Sequence, residues 1–372
     1  MTEDKPLTPF HPIAPELDPD RLHQTLVGKA RPQLAWAAPE DPEGHVHALR
    51  EALQRCLGEH PESVPLEVET GMEEESGSYI RRRVSFAVEP GSRACGWLLV
   101  PGGLEGPAPA MICLQGHTSG GHISAGMERV EGDAERIAGE RDFAVQAVRR
   151  GYVALALEQR CFGERMDGRE PSVRGHYDFD DFCTDERCRH QAMVALLLGR
   201  TLVGERVHDT RCALDFLSAL PEVDAGRIFC MGNSGGGTVS FYAACMDERI
   251  SGIMVSCAFC TYGSSIVRVD HCCDNYLPGA LKLFEMPDLA ALVAPRPFVV
   301  VSGREDPIFP REGVFEAMAT ARRIYGHFGA SPRIAHVEGD GGHRFYAGSG
   351  WAAWDSVLAC AGMAPPRGKW KD

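Results

Sequence analysis

Between positions 110 and 337 the chain carries six short, almost uninterrupted apolar runs, at 110–114, 152–157, 228–231, 253–257, 298–301 and 334–337, separated by longer stretches with helical or loop character. A strand that is apolar on both faces must be covered on both faces. Strands alternating with helices are joined by crossovers that make the sheet parallel. The pattern therefore predicts an α/β fold with a mostly parallel central sheet and helices on both faces, and it directs the search for function to the carboxyl ends of the strands.

Ahead of this core, residues 81–89 and 96–100 read as strands, the second closed by the turn signal Pro101-Gly102-Gly103, and they predict an antiparallel lead-in. Val46, Leu49, Leu53 and Leu57 share one helical face, so residues 45–57 predict a short amphipathic helix, while proline-rich residues 1–42 predict an irregular arm. The expected organisation is an N-terminal accessory arm with a helix at 1–75 and a catalytic domain at 76–372, with insertions near 161–200 and 262–290. Either insertion is a candidate cap over a site.

With 372 residues the chain can bury roughly three-quarters of its unfolded surface, so neither disulfides nor metal are needed to fold it. A net charge of -14 and a pI near 5.5 leave no electrostatic footprint for nucleic acid; the one basic run is Arg81-Arg82-Arg83. The opening Met1-Thr2-Glu3-Asp4-Lys5-Pro6 has no basic start and no apolar run, and no stretch reads as a bilayer span. A cytoplasmic location is expected. The 14 cysteines are scattered, as suits reduced thiols used as small apolar residues. Homo-oligomerisation is left open.

The strongest local signal is Gly232-Asn233-Ser234-Gly235-Gly236, directly after the strand at 228–231 and before a helix running to about Met246. This is Gly-x-Ser-x-Gly in a strand-turn-helix context, which holds a serine in a strained turn at the N-terminus of a helix. A hydroxyl needs a base to attack at neutral pH. The loop after 298–301, Ser302-Gly303-Arg304-Glu305-Asp306-Pro307, offers Asp306 as the acid, ahead of Glu305, Asp274 and Asp340. The loop after 334–337, Glu338-Gly339-Asp340-Gly341-Gly342-His343, offers His343 as the base. The Gly235 N–H is the natural first oxyanion donor. The loop after 110–114, Gln115-Gly116-His117-Thr118-Ser119-Gly120-Gly121-His122, supplies the second, with the His117 N–H preferred over Gln115 or Thr118.

Glu158, Arg160 and Asn233 are candidate substrate-pocket residues, with an internal ion pair as the alternative for Glu158 and Arg160. Metal is not expected: His117 and His122, Cys183, Cys188 and His190, and the run His271-Cys272-Cys273-Asp274 contain ligand types without a paired zinc spacing. No cofactor is expected.

These features resemble the α/β-hydrolase superfamily, more narrowly its acetyl xylan esterase-like and dienelactone hydrolase-like branch. The resemblance rests on the serine pentapeptide, on Glu158 to Arg165, on Asp274-Asn275-Tyr276-Leu277-Pro278-Gly279, and on Ala294-Pro295-Arg296-Pro297 leading to Asp306. It spans roughly Arg81 to Cys360. The chain departs from dienelactone hydrolases in having serine rather than cysteine, and it carries Gln115-Gly116-His117 where His-Gly is usual. The resemblance implies the α/β-hydrolase fold and hydrolysis of a small-molecule ester with a short acyl group through an acyl-enzyme. A peptidase or amidase with the same triad and a non-catalytic scaffold are the rivals. Aspartate would be expected at the elbow of a dehalogenase or epoxide hydrolase.

Overall fold

The computed structural model describes residues 15–166 and 184–366. The elements, in chain order, are α1 (Pro19–Lys29), α2 (Pro42–Leu57), β1 (Glu69–Ser76), β2 (Tyr79–Glu89), β3 (Ser92–Pro101), β4 (Ala108–Leu114), α3 (Asp133–Arg136), α4 (Phe143–Arg149), β5 (Val153–Leu157), α5 (Thr184–Leu197), α6 (Leu202–Ser218), β6 (Val223–Asn233), α7 (Gly235–Met246), β7 (Ile250–Ser256), α8 (Ala280–Leu283), β8 (Phe298–Gly303), α9 (Arg311–His327), β9 (Ile334–Gly339) and α10 (Ala347–Cys360). Nine strands form one sheet in the order β1-β2-β3-β5-β4-β6-β7-β8-β9. The pairs from β1 to β5 through β3 are antiparallel, and every pair from β5 through β4 to β9 is parallel. All six predicted core strands and the antiparallel lead-in are present.

Both faces of the sheet carry a core. In β4, Ala110, Ile112 and Leu114 face the larger core, with α2, α6, α7 and α9, while Met111 and Cys113 face the other, with α4 and α10. This two-sided demand is why the strands read as unbroken apolar runs. α7 is buried from Gly235 to Cys245, so its sequence shows no polar face. Its far end is fixed by Arg296, whose guanidinium donates to the carbonyls of Ala244, Leu292, Asp247 and Ile250 at 2.6–3.2 Å. The Ala-Pro-Arg-Pro segment thereby serves the scaffold, since its arginine satisfies carbonyls that a helix end leaves open.

Two elements depart from expectation. The arm contains α1, capped by Asp18 with proline at its first turn; none of its residues is buried, so there was no apolar stripe to reveal it. β1 is almost wholly polar, because an edge strand can be held by cross-strand charge. Glu74 pairs with Arg81 at 2.6 Å and Glu73 with Arg82 at 2.7 Å, while Arg83 reaches Glu164 at 2.5 Å. The basic run is thereby neutralised internally. Beyond α1 the arm lies along the second insertion, where Gln33 and Leu34 N–H groups donate to Lys282 and Leu283 carbonyls and the Trp36 N–H donates to Asp288. The first insertion is described only in part: positions 167–183, with Cys183, lie outside the described residues. No described helix is long and apolar enough to cross a membrane.

Candidate active site

Ser234 follows the last residue of β6 and precedes α7, with φ 56° and ψ −128°. A non-glycine residue in that region is strained, and the strain lifts the side chain out of the turn. The turn closes only because its neighbours lack side chains: a Cβ on Gly232 would collide with the Gly236 carbonyl, and one on Gly236 with the Leu114 carbonyl of the adjacent β4. The Ser234 N–H is held by the Ser256 carbonyl at 2.8 Å, and the Asn233 side chain accepts from Ser256 Oγ at 2.7 Å.

Asp306 and His343 come from the loops after β8 and β9. His343 Nδ1 lies 2.8 Å from Asp306 Oδ2. The other carboxylate oxygen accepts the N–H groups of Ile308 and Phe309 at 2.9 and 3.1 Å. Burial alone would push the Asp306 carboxyl up, but the hydrogen bond and charge of His343, with those two N–H donors, outweigh it and hold it below its ordinary value. The neighbouring Glu305 is exposed, Asp340 faces solvent beside Arg304, and Asp274 is engaged elsewhere. Phe309 stacks on the His343 ring at 5.9 Å and limits its orientation.

Ser234 and His343 line one pocket of about 200 Å³, together with Gly116, His117, Arg141, Asn233, Asp270, His271, Cys272, Asn275 and Ile308. Leu114 pairs with Gly232 across the parallel β4/β6 ladder, and this register brings the loop after β4 beside the serine. Gly116 packs so closely that a Cβ there would lie 2.7 Å from Ser234 Cβ, and the His117 ring borders Gly235. The loop is fixed from behind. Gln115 donates to Ser124 Oγ at 2.7 Å, Glu158 accepts the Gly121 N–H at 2.8 Å, and His122 turns to Asp133 at 2.8 Å.

Two candidate pocket residues, Glu158 and Arg160, lie outside the lining of the Ser234 pocket. Glu158 is buried under the loop, and burial, only partly opposed by the Gly121 and Glu164 N–H groups, raises its carboxyl to about 7. Arg160 forms a bidentate pair with Asp209 at 2.8 and 2.9 Å and reaches Glu89 at 2.7 Å and Glu205 at 3.1 Å. Its ion pairs are internal, but with these partners rather than Glu158. Polar side chains following a strand were the signal for both residues, and it does not distinguish facing the pocket from bracing its wall. Asn233 does line the pocket.

Sequence reasoning missed Arg141, His271 and Asn275. Arg141 lines the pocket with no acidic partner within ion-pair distance among the described residues. Asn275 accepts from Thr238 of α7 at 3.2 Å, and His271 Nε2 lies 2.9 Å from Ser265 Oγ. His271 and Asn275 lie in segments that the sequence singled out for other reasons, as ligand types and as a family resemblance, while Arg141 lies in no recognised motif.

His117 and Cys272 join the pocket to a buried polar cluster. Arg206 of α6 donates to Asp274, whose Oδ2 also lies 3.2 Å from His117 Nε2. Arg206 also donates to Cys188 Sγ at 3.3 Å and sits 4.5 Å over the Phe162 ring. Burial disfavours charge on His117, but Asp274 outweighs it and lifts the imidazole to about 10.

A sequence model of the Abhydrolase family matches residues 21–327. YtaP of Bacillus subtilis (strain 168), a proposed hydrolase, is 27% identical over 297 residues, covering 79% of this chain and 92% of that protein. Among solved structures, a proposed acetyl xylan esterase from Bacteroides fragilis NCTC 9343 superposes with a TM-score of 0.70 at 18% identity, covering 87% of this chain and 82% of that one. A glucuronoyl esterase from Solibacter usitatus gives 0.64 at 17% identity, covering 90% and 99%. The similarity at this level is one of fold. The match over most of the chain shows that it belongs to the Abhydrolase family, within the α/β-hydrolase superfamily.

Proposed function

We propose that the protein is a serine esterase that removes a short acyl group from a polar alcohol through an acyl-enzyme. The observation that carries the reading is Ser234, held at φ 56° on the elbow, sharing one small pocket with a histidine whose Nδ1 is engaged by a buried carboxylate. Ser234 Oγ attacks the ester carbonyl as its proton passes to His343 Nε2. Asp306 stays ionised, fixes the tautomer and stabilises the imidazolium. The N–H groups of Gly235 and His117 receive the oxyanion. His343 then protonates the departing alcohol, and a water activated by the same imidazole releases the acid and restores the serine.

The reading of substrate size rests on a pocket of about 200 Å³, below the ~300 Å³ at which sites for drug-sized ligands begin. Polar groups from Arg141, His271 and Asn275 suit a hydroxylated rather than a lipid-like leaving group. The names of the structural neighbours, acetyl xylan and glucuronoyl esterases, belong to the same chemical class. Among the described residues every cysteine is free, which is compatible with a cytoplasmic location as part of the proposal.

The test is hydrolysis of p-nitrophenyl acetate against p-nitrophenyl octanoate by wild type and Ser234→Ala. The expected result is acetate turnover that vanishes in the variant, with little octanoate turnover. Absence of serine-dependent turnover of either ester would overturn the esterase reading.

A further inference from the structure

The loop after β4, helix α5 and the second insertion lie far apart in sequence, yet each sends metal-ligand types into one place. His117, Cys188, Cys272 and Asp274 bring an imidazole nitrogen, two thiol sulfurs and a carboxylate oxygen together, all within 4.8 Å of one another. Cys188 and Asp274 are buried, and His117 and Cys272 are half-buried where they border the Ser234 pocket. We propose that these four side chains form a structural zinc site, which staples both insertions to the loop carrying the His117 N–H. The proposal does not depend on the esterase reading.

Two thiolates, one imidazole and one carboxylate make a closed four-coordinate set of the kind zinc takes, and the softness of two sulfurs disfavours magnesium or calcium. Tetrahedral bonds of ~2.0–2.3 Å place neighbouring donors about 3.3–3.8 Å apart, so the observed grouping needs movements of no more than about 1 Å. The charges also match. Two thiolates and a carboxylate carry three negative charges, which a divalent ion and the fully buried Arg206 balance. Arg206 already donates to Asp274 and to Cys188 Sγ, as an outer partner that orients ligands does. The Asn275 side-chain amide fixes the second Asp274 oxygen at 3.0 Å.

The position of the cluster explains what a metal would do there. The His117 ring borders Gly235, and Thr238 of α7 is tied to Asn275 beside Asp274, so a staple here fixes the oxyanion loop against the elbow helix. The ion would be closed to substrate and would act through the positions of its ligands.

The test is the metal content of the full chain, purified without chelator, by plasma mass spectrometry. Wild type should carry about one zinc per chain. Cys188→Ser and Cys272→Ser should each lose most of it, and Cys273→Ser, adjacent but outside the cluster, should keep it. In case those variants fold poorly, wild type stripped of metal by chelator is titrated with Co²⁺. The prediction is one equivalent bound with thiolate-to-cobalt charge transfer and the intense visible absorption of tetrahedral cobalt. Wild type that carries no zinc and gives no thiolate–cobalt absorption would overturn the site, as would full zinc retention in Cys188→Ser/Cys272→Ser.

Discussion

Ser234, Asp306 and His343 each follow a strand of the parallel sheet within ten residues, as does His117, whereas Cys188, Arg206 and Asp274 are carried by two helices and an insertion. Ser234, His343 and His117 line one pocket, and His117 joins it to the second group through Asp274. In the first, the backbone ladder fixes where each side chain starts, and a loop of a few residues completes the placement. In the second, tertiary packing alone brings the side chains together, and a buried arginine compensates the charge. One wall of this pocket is thus a consequence of topology and the other of insertion packing. The two walls should therefore fail in different ways when cut: the first loses chemistry with the fold intact, and the second loses stability.

The largest expected effect is on the strand-end wall. Asp306→Asn keeps the shape but permits the wrong histidine tautomer, and ester turnover should fall by roughly 10⁴-fold, with only a small fall in the denaturation midpoint from the lost carboxylate–imidazole pair. Steady-state kinetics beside urea unfolding check both halves, and a drop in stability matching the drop in rate would break the distinction.

On the other wall, Arg206→Ala takes the guanidinium from the buried Asp274 carboxylate and leaves it only His117 and the Asn275 amide. The expected cost is about 3–5 kcal/mol of stability, read from urea unfolding. Turnover per folded chain should fall far less than in Asp306→Asn. An Arg206→Ala protein as stable as wild type would show that the cluster does not hold this wall together.

Between the walls, Glu158 braces the loop after β4 with a carboxyl raised to about 7 by burial. From about pH 4.5 to 7 the folded state holds a proton that the unfolded state releases, so this group lowers stability as pH rises through that window. Glu158→Gln cannot ionise. Its stability relative to wild type should therefore climb between pH 4.5 and 7, by on the order of 1–3 kcal/mol, and level off above. Thermal unfolding across pH measures it, and a pH-independent difference would contradict the assignment.

The smallest effect is expected at Arg141, which faces the pocket without an acidic partner among the described residues. Arg141→Ala should raise KM for a polar acetyl ester about tenfold, near 1.4 kcal/mol, with less change in kcat. An unchanged KM would remove Arg141 from substrate binding.

What could be read from sequence divides along the same line. The core strands were legible because β4 to β8 are buried on both faces, and the elbow because Gly232 and Gly236 are demanded by close backbone approach. Asp306 and His343 were legible from chain order and strand ends. Helix α1 and strand β1 were not, since neither buries a stripe; one rests on capping and the other on cross-strand ion pairs. Glu158 and Arg160 brace the structure outside the Ser234 pocket, which position just past a strand end does not reveal. The His117–Cys188–Cys272–Asp274 grouping was invisible because its spacing in sequence carries no periodicity; only the fold brings it together.

The central claim is that Ser234 is an activated nucleophile. Its most direct test is treatment of the whole protein with a fluorophosphonate, followed by peptide mass mapping. The account predicts one adduct per chain, on Ser234, that is lost in Ser234→Ala and greatly slowed in His343→Ala. A folded wild-type protein that stays unlabelled, or that carries its adduct on another residue, would contradict it.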